Sequence, residues 1–157
     1  MKNKDFKSNR HSIYNLKYHL VVVTKYRHKC ITEEMLNDLE EIFKKNIEKN
    51  NGSLIEFNGE KDHVHLLFEI PPQIELAKLI NNLKTVSSRL IRKKYSEYLK
   101  QFYWKNVFWS RSYCILTTGR ATIEMVEKYI QSQVGVKDWF FNSSPPYLGG
   151  SVLEIGW

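Results

Sequence analysis

Cysteine is scarce in this chain and does not cluster. Cys30 and Cys114 stand far apart, without the spacing of a zinc–cysteine site, and they suit a reducing, cytoplasmic setting. No apolar run approaches the roughly 20 residues needed to span a membrane, so a membrane role is not expected. The N-terminus, Met1-Lys2-Asn3-Lys4-Asp5, is charged with no apolar segment behind it and does not read as a signal peptide. Internal repeats and low-complexity segments are missing as well. What is present is a chain of 157 residues, 42% hydrophobic, enough for one globular domain with a real core. The reading places that domain at residues 1–135 and leaves 136–157 as a C-terminal tail without an assigned role.

Acidic residues are nearly absent from two blocks. Residues 1–29 hold eight Lys or Arg against one acid, Asp5, and residues 78–105 hold eight against Glu97 alone. The remainder carries more acids than bases, so the net charge of +7 is concentrated. Two basic blocks on an otherwise acidic chain suggest a surface that meets a polyanion. They contain aromatics: Tyr14, Tyr18 and Tyr26, then Tyr95, Tyr98, Phe102, Tyr103 and Trp104. Stacking surfaces beside positive charge suit single-stranded nucleic acid.

The apolar pattern predicts the elements in turn. After a polar arm, Leu16 to Tyr26 reads as a strand, central because Leu20-Val21-Val22-Val23 is too apolar for an exposed face. Thr32 caps a helix with Glu33 and Glu34 in its first turn and Met35, Leu36, Leu39, Ile42, Phe43 and Ile47 as its stripe; Asn50-Asn51-Gly52 ends it. Ser53 to Phe57 and Asp62 to Ile70 read as a hairpin turned at Asn58-Gly59-Glu60-Lys61. Pro71-Pro72 stops it. A second helix is expected from Ile74 to Tyr95, with Leu76, Leu79, Ile80, Leu83, Val86 and Leu90 inward. Val107-Phe108-Trp109 and Tyr113 to Thr117 read as the last strand or strands, with Trp109 in the core. A final helix covers Thr122 to Val134 and stops at Gly135. This order gives an α+β fold, a ferredoxin-like or RRM-like antiparallel sheet with helices on one face, plus the late helix.

Within Asp62-His63-Val64-His65-Leu66-Leu67-Phe68-Glu69-Ile70, alternation puts Val64, Leu66, Phe68 and Ile70 on one face. His63, His65, Leu67 and Glu69 take the other. The two imidazoles therefore point the same way, about 6.6 Å apart along the backbone, and can grip one divalent ion from one side; the plainer reading is a pair of satisfied, partly buried histidines. Tyr129 and Gln133 lie four apart on one helix face. If that helix lies over the histidine face, Gln133 completes a three-ligand site with open positions for a phosphate oxygen, and Tyr129 becomes the nucleophile. Singly, Tyr129 also reads as a boundary tyrosine and Gln133 as a solvated helix residue. Lys84, Ser88 and Arg92 recur every four residues on another face of the second helix. The candidate DNA-contacting side chains are Lys25, Arg27, Lys84, Arg89, Arg92 and Arg111, with Arg111 equally readable as a structural partner for a carboxylate.

Four pieces now stand in order: Tyr18-His19-Leu20-Val21-Val22-Val23-Thr24-Lys25-Tyr26-Arg27, the His-Val-His strand, Phe108-Trp109-Ser110-Arg111-Ser112-Tyr113, and Glu127-Lys128-Tyr129-Ile130-Gln131-Ser132-Gln133. From about residue 14 to 134 the chain resembles the single-tyrosine HUH transposases, small insertion-sequence transposases that move single-stranded DNA. The resemblance implies a Mg2+- or Mn2+-dependent DNA strand transferase. It implies metal binding by His63, His65 and Gln133, and a 5′-phosphotyrosine at Tyr129 with release of a 3′-hydroxyl. Glu60 and Asp62 lie beside the histidine pair in sequence but are not counted among the site residues. It further implies single-stranded DNA hairpins as partners and a homodimer with shared sites, in which two chains share a sheet and the late helix of one covers the histidine strand of the other; Gly119, just before that helix, offers a hinge for this. A domesticated hairpin-processing relative, a replication or mobilisation nickase and a non-catalytic nucleic-acid-binding module remain as alternatives. The short length, with no helicase or second domain, argues against the nickase.

Overall fold

The computed structural model describes residues 7–8, 13–14, 16–117, 123–133 and 152–154. The expectations for Gly119, Thr122, Val134, Gly135, Trp139-Phe140-Phe141 and Trp157 lie outside them, as do those for most of the polar arm and for the side chains of Tyr14, Ile123 and Val126. In chain order the elements are β1 (Lys7–Ser8), β2 (Ile13–Tyr14), β3 (Lys17–Val23), α1 (Glu33–Lys49), β4 (Ser53–Gly59), β5 (His63–Glu69), α2 (Leu76–Lys94), α3 (Ser96–Leu99), β6 (Cys114–Thr117), α4 (Ile123–Ser132) and β7 (Val152–Glu154). β1 and β2 pair with each other, and the main sheet has the order β4-β5-β3-β6-β7, antiparallel throughout. The α+β class is as expected. The tail, which matched no pattern, adds the edge strand β7.

The apolar run in β3 explains its central place. Leu20 and Val22 face one side and Val21 and Val23 the other, all buried. On the first side α1 and α2 cover the sheet. Thr32 caps α1, its side chain accepting from the Met35 amide at 3.2 Å, and Met35, Leu39, Phe43 and Ile47 seal its inner face. α1 ends where the Gly52 amide donates to Ile47 O at 2.9 Å. A Cβ on Gly52 would stand 2.5 Å from Glu69 O, so no larger residue fits between helix and sheet. β4 runs two residues past its expected end and into the expected turn, because Asn58 and Gly59 keep pairing with His65 and Val64.

Two predicted packing details change. The inner face of α2 continues from Leu83 through Ser87 to Ile91, while Val86 is half-buried and Leu90 is 40% exposed. An apolar-stripe search favours Val86 and Leu90, but Ser87 belongs inside because Trp109 Nε1 donates to its Oγ at 2.9 Å. Trp109 is core, as expected. The 107–109 stretch is no strand: Trp109 makes one isolated bridge to Thr24, and the strand proper starts at Cys114.

Candidate active site and nucleic-acid interface

The site forms on the sheet face turned away from α1 and α2. Register sets His63 opposite Val23 and His65 opposite Val21, and directly opposed residues project to the same face. Val21 and Val23 are packed with Cys114, Leu116, Tyr129 and Ile130. The late helix α4 therefore lies on the histidine face of its own chain's sheet, the condition on which the three-ligand reading depended.

The imidazoles of His63 and His65 stand with centroids 6.2 Å apart and planes 21° from parallel. His63 Nδ1 lies 2.8 Å from Asp62 Oδ1, and Arg27 Nε donates to Asp62 Oδ2 at 2.7 Å. Burial pushes the Asp62 carboxyl up, but the His63 ring and the Arg27 guanidinium outweigh it and hold the group below its ordinary range. An ionised carboxylate only accepts, so Nδ1 of His63 carries a proton and Nε2 is the ring nitrogen turned to a ligand's role. Burial, reinforced by His63 and His19, lowers the pKa of His65 against the pull of Glu56 and Glu60. Two imidazoles with fixed orientation on one face are a donor set that fits a divalent ion. Among the described residues no three His, Cys, Asp or Glu side chains converge into a cage. Of the two acids named beside the histidine pair, Asp62 meets His63, whereas the Glu60 side chain is exposed and its amide donates to His63 O at 2.9 Å.

Tyr129 is fully buried, and its hydroxyl is 3.4 Å from Ser112 Oγ. Gln133 is half-buried, one turn on, with Nε2 3.3 Å from Ser132 Oγ. The structure thus sets His63 beside His65 and packs Tyr129 of α4 on the same side of the sheet, while Gln133 follows the last residue of that helix.

The end of β3 is clasped from both flanks. The Thr24 amide and Oγ1 both donate to Asp62 O, the Lys25 amide donates to Phe108 O, and the Ser110 amide donates to Val23 O. Beyond it the backbone makes a tight turn in which Tyr26 and Arg27, neither of them glycine, take φ of 59° and 55°. Such left-handed residues cost about 1–3 kcal/mol each.

Beside this turn a cleft of about 370 Å³ opens between α2 and the 106–111 loop, and it gathers Lys25, Lys84, Arg92 and Arg111. These are four of the six predicted DNA-contacting residues. Lys84 differs from its expected role as a surface phosphate contact. It is 3% exposed, and its Nζ donates to Ser110 O at 2.9 Å and Arg111 O at 2.8 Å, fixing the loop that carries Arg111. Burial and the nearby Lys25 charge push its pKa down to about 7. Lys25 is lowered as well, by burial first and then by Arg111 and Lys105. Arg27 sits on Asp62, and Arg89 lines a separate groove between α1 and α2 with Lys45, Lys49 and Lys78. Two features escaped the sequence pattern. The Arg27–Asp62–His63 chain joins residues 35 positions apart, and His19, on the same face, holds a buried Nδ1 with no hydrogen-bond partner among the described residues. An Asp directly before the first histidine was the one local signal.

An antiparallel sheet with paired histidines on one face, a tyrosine helix laid over it and a cationic cleft at its end defines a class of small nucleic-acid-processing domain. The family model described as "Transposase IS200 like" matches residues 12–133, and the chain belongs to that family of DNA transposases. It is 35% identical over 129 residues to the ISDra2 transposase TnpA of Deinococcus radiodurans, covering 82% of this chain and 91% of the relative. It is 32% identical over 145 residues to the transposase for insertion sequence element IS200 of Salmonella typhimurium, covering 92% and 94%. A crystal structure from Deinococcus radiodurans described as a transposase superposes with a TM-score of 0.75 at 32% identity, over 83% of this chain and 99% of that one. Among the described residues no helix is long and apolar enough to cross a membrane.

Proposed function

We propose that this transposase cleaves and rejoins single-stranded DNA at hairpin-bearing element ends through a 5′-phosphotyrosine on Tyr129. The observation that carries the reading is the common sheet face: Tyr129 packs on Val21 and Val23, the direct partners of His65 and His63. A Mg2+ or Mn2+ ion held by His63, His65 and Gln133 would polarise the phosphoryl group. The Tyr129 oxygen attacks phosphorus while the bond to the 3′ oxygen breaks. The phenolic proton leaves, the 3′ oxygen takes one up, and the 5′ phosphate stays on the tyrosine for rejoining. An ordinary phenol, with a pKa near about 10, needs such activation.

Tyr129 has no exposure in this packing, so α4 has to leave its own sheet before the hydroxyl can meet DNA. The proposal also includes a homodimer in which α4 of one chain covers the histidine strand of the other, making two composite sites. The test mixes Tyr129→Phe and His65→Ala chains, each inactive alone, after partial unfolding. Cleavage of a labelled single-stranded hairpin should return, with the covalent adduct on a denaturing gel carried only by the His65→Ala chain. A dead mixture in which heterodimers are demonstrated refutes shared sites. An adduct formed by Tyr129→Phe alone refutes the nucleophile. A hairpin shifted by wild-type protein but never attached to it marks a binder without chemistry.

A further inference from the structure

The strained turn at Tyr26 has a use that neither the metal pair nor the cationic cleft explains. Tyr26 is held 47% exposed on a left-handed backbone that an aromatic residue rarely adopts. Behind it the rings form a continuous file. Tyr26 meets His28 at 5.8 Å between centroids, His28 meets Tyr103 at 5.3 Å and Phe102 at 6.0 Å, and Phe102 meets Tyr98 at 5.6 Å. Tyr103 is the buried keel, its hydroxyl donating to Lys25 O at 2.8 Å. The next residue, Trp104, is 88% exposed, with Lys105 Nζ 5.3 Å from its ring centre; Lys25 Nζ stands 5.4 Å from that of Tyr26. A core would not leave Tyr26 and Trp104 in water, and a stability-driven turn would place Gly or Asn at these angles.

We infer that Tyr26, backed by His28 and Phe102, with Trp104 as an outer ring, is a stacking platform for unpaired bases of a DNA single strand passing the candidate site. Base–aromatic stacking beside lysines is how proteins hold single strands without reading sequence. The position fits, because the next residue, Arg27, reaches Asp62 and through it His63. Bases on this platform would flank the phosphate presented to the histidines. The inference rests on the single-strand reading above and adds the surface that grips the strand.

The test uses the full chain carrying Tyr129→Phe, so that affinity is measured whether or not the covalent chemistry is as proposed. The probes are an oligothymidylate strand substituted with iodouracil and a duplex of the same length. Irradiation should crosslink the strand to the Tyr26 or Trp104 peptide. Tyr26→Ala should weaken binding of the strand about tenfold and leave duplex binding unchanged, while Tyr26→Phe should bind like the parent. Equal binding by Tyr26→Ala, an equal loss on duplex, or a loss in Tyr26→Phe as large as in Tyr26→Ala overturns the inference. Should Tyr26→Ala fail to fold, Tyr26→Asn, suited to the left-handed backbone, takes its place under the same criteria. An adduct assay on the unmutated Tyr129 chain tests the underlying reading separately.

Discussion

Asp62 divides its two oxygens between the residues that matter most around it, His63 and Arg27. Asp62→Asn keeps the shape and removes the charge that fixes the His63 tautomer. Outer partners of this kind are worth about 10- to 100-fold in metal affinity or activity. If His63 holds the proposed ion, the variant needs correspondingly more Mn2+ for hairpin cleavage while binding the hairpin normally, measured by metal titration of the cleavage rate. Lys84 makes a pH prediction. Burial lowers its folded pKa to about 7 from 10.5, so between these values the unfolded chain binds the extra proton and stability rises with pH. Lys84→Met should lose that rise, and at neutral pH it should leave the Ser110 and Arg111 carbonyls without its two hydrogen bonds, at a cost of about 1–3 kcal/mol. Urea unfolding of both proteins across this range checks the slope and the offset.

At the scale of elements, α2 separates what periodicity can and cannot tell. Ile91 is buried and Leu90 is 40% exposed. Ile91→Ala should cost about 2–5 kcal/mol, and Leu90→Ala about 0.5 kcal/mol or less, in the same unfolding assay. The sequence pattern favours the opposite assignment, because Ser87 and Lys84, which mark the true inner face, are polar residues satisfied by Trp109 and by two carbonyls. The strands were easier. The unbroken run Leu20–Val23 and the alternation around His63 and His65 settle which face each residue takes, because a strand's period of two tolerates no drift. α1 was legible from its cap and its stripe. The 107–109 stretch was not, since its place comes from bonds to Thr24, Lys25 and Val23 that no local pattern encodes.

For the whole molecule, the two basic blocks read in the sequence do converge, but selectively. Lys25 from the first block meets Lys84 and Arg92 from the second across one cleft, joined there by Arg111, while Arg89 turns to another groove. Charge counting finds the blocks, and only the fold decides which members share a surface. If the cleft carries a strand's phosphates, affinity for single-stranded DNA falls with salt. Each lost contact flattens the log–log slope by about 0.7. Arg111→Ala should show that change in a salt titration followed by fluorescence anisotropy, with the fold unaltered because Arg111 is exposed.

One further property of the molecule lies at the margins of its sheet. Among the described residues the β6 edge is covered by β7, and the opposite strand, β4, shifts register between Leu54 and Glu56. A sheet with two long, regular borders invites copies to add head to tail, each new chain offering the next the same invitation, and that road ends in a filament. Here the β4 border is kinked. Growth along the sheet is thereby discouraged at that border, and head-to-tail growth needs both borders, so any assembly built on the sheet is steered towards a closed, countable number of chains.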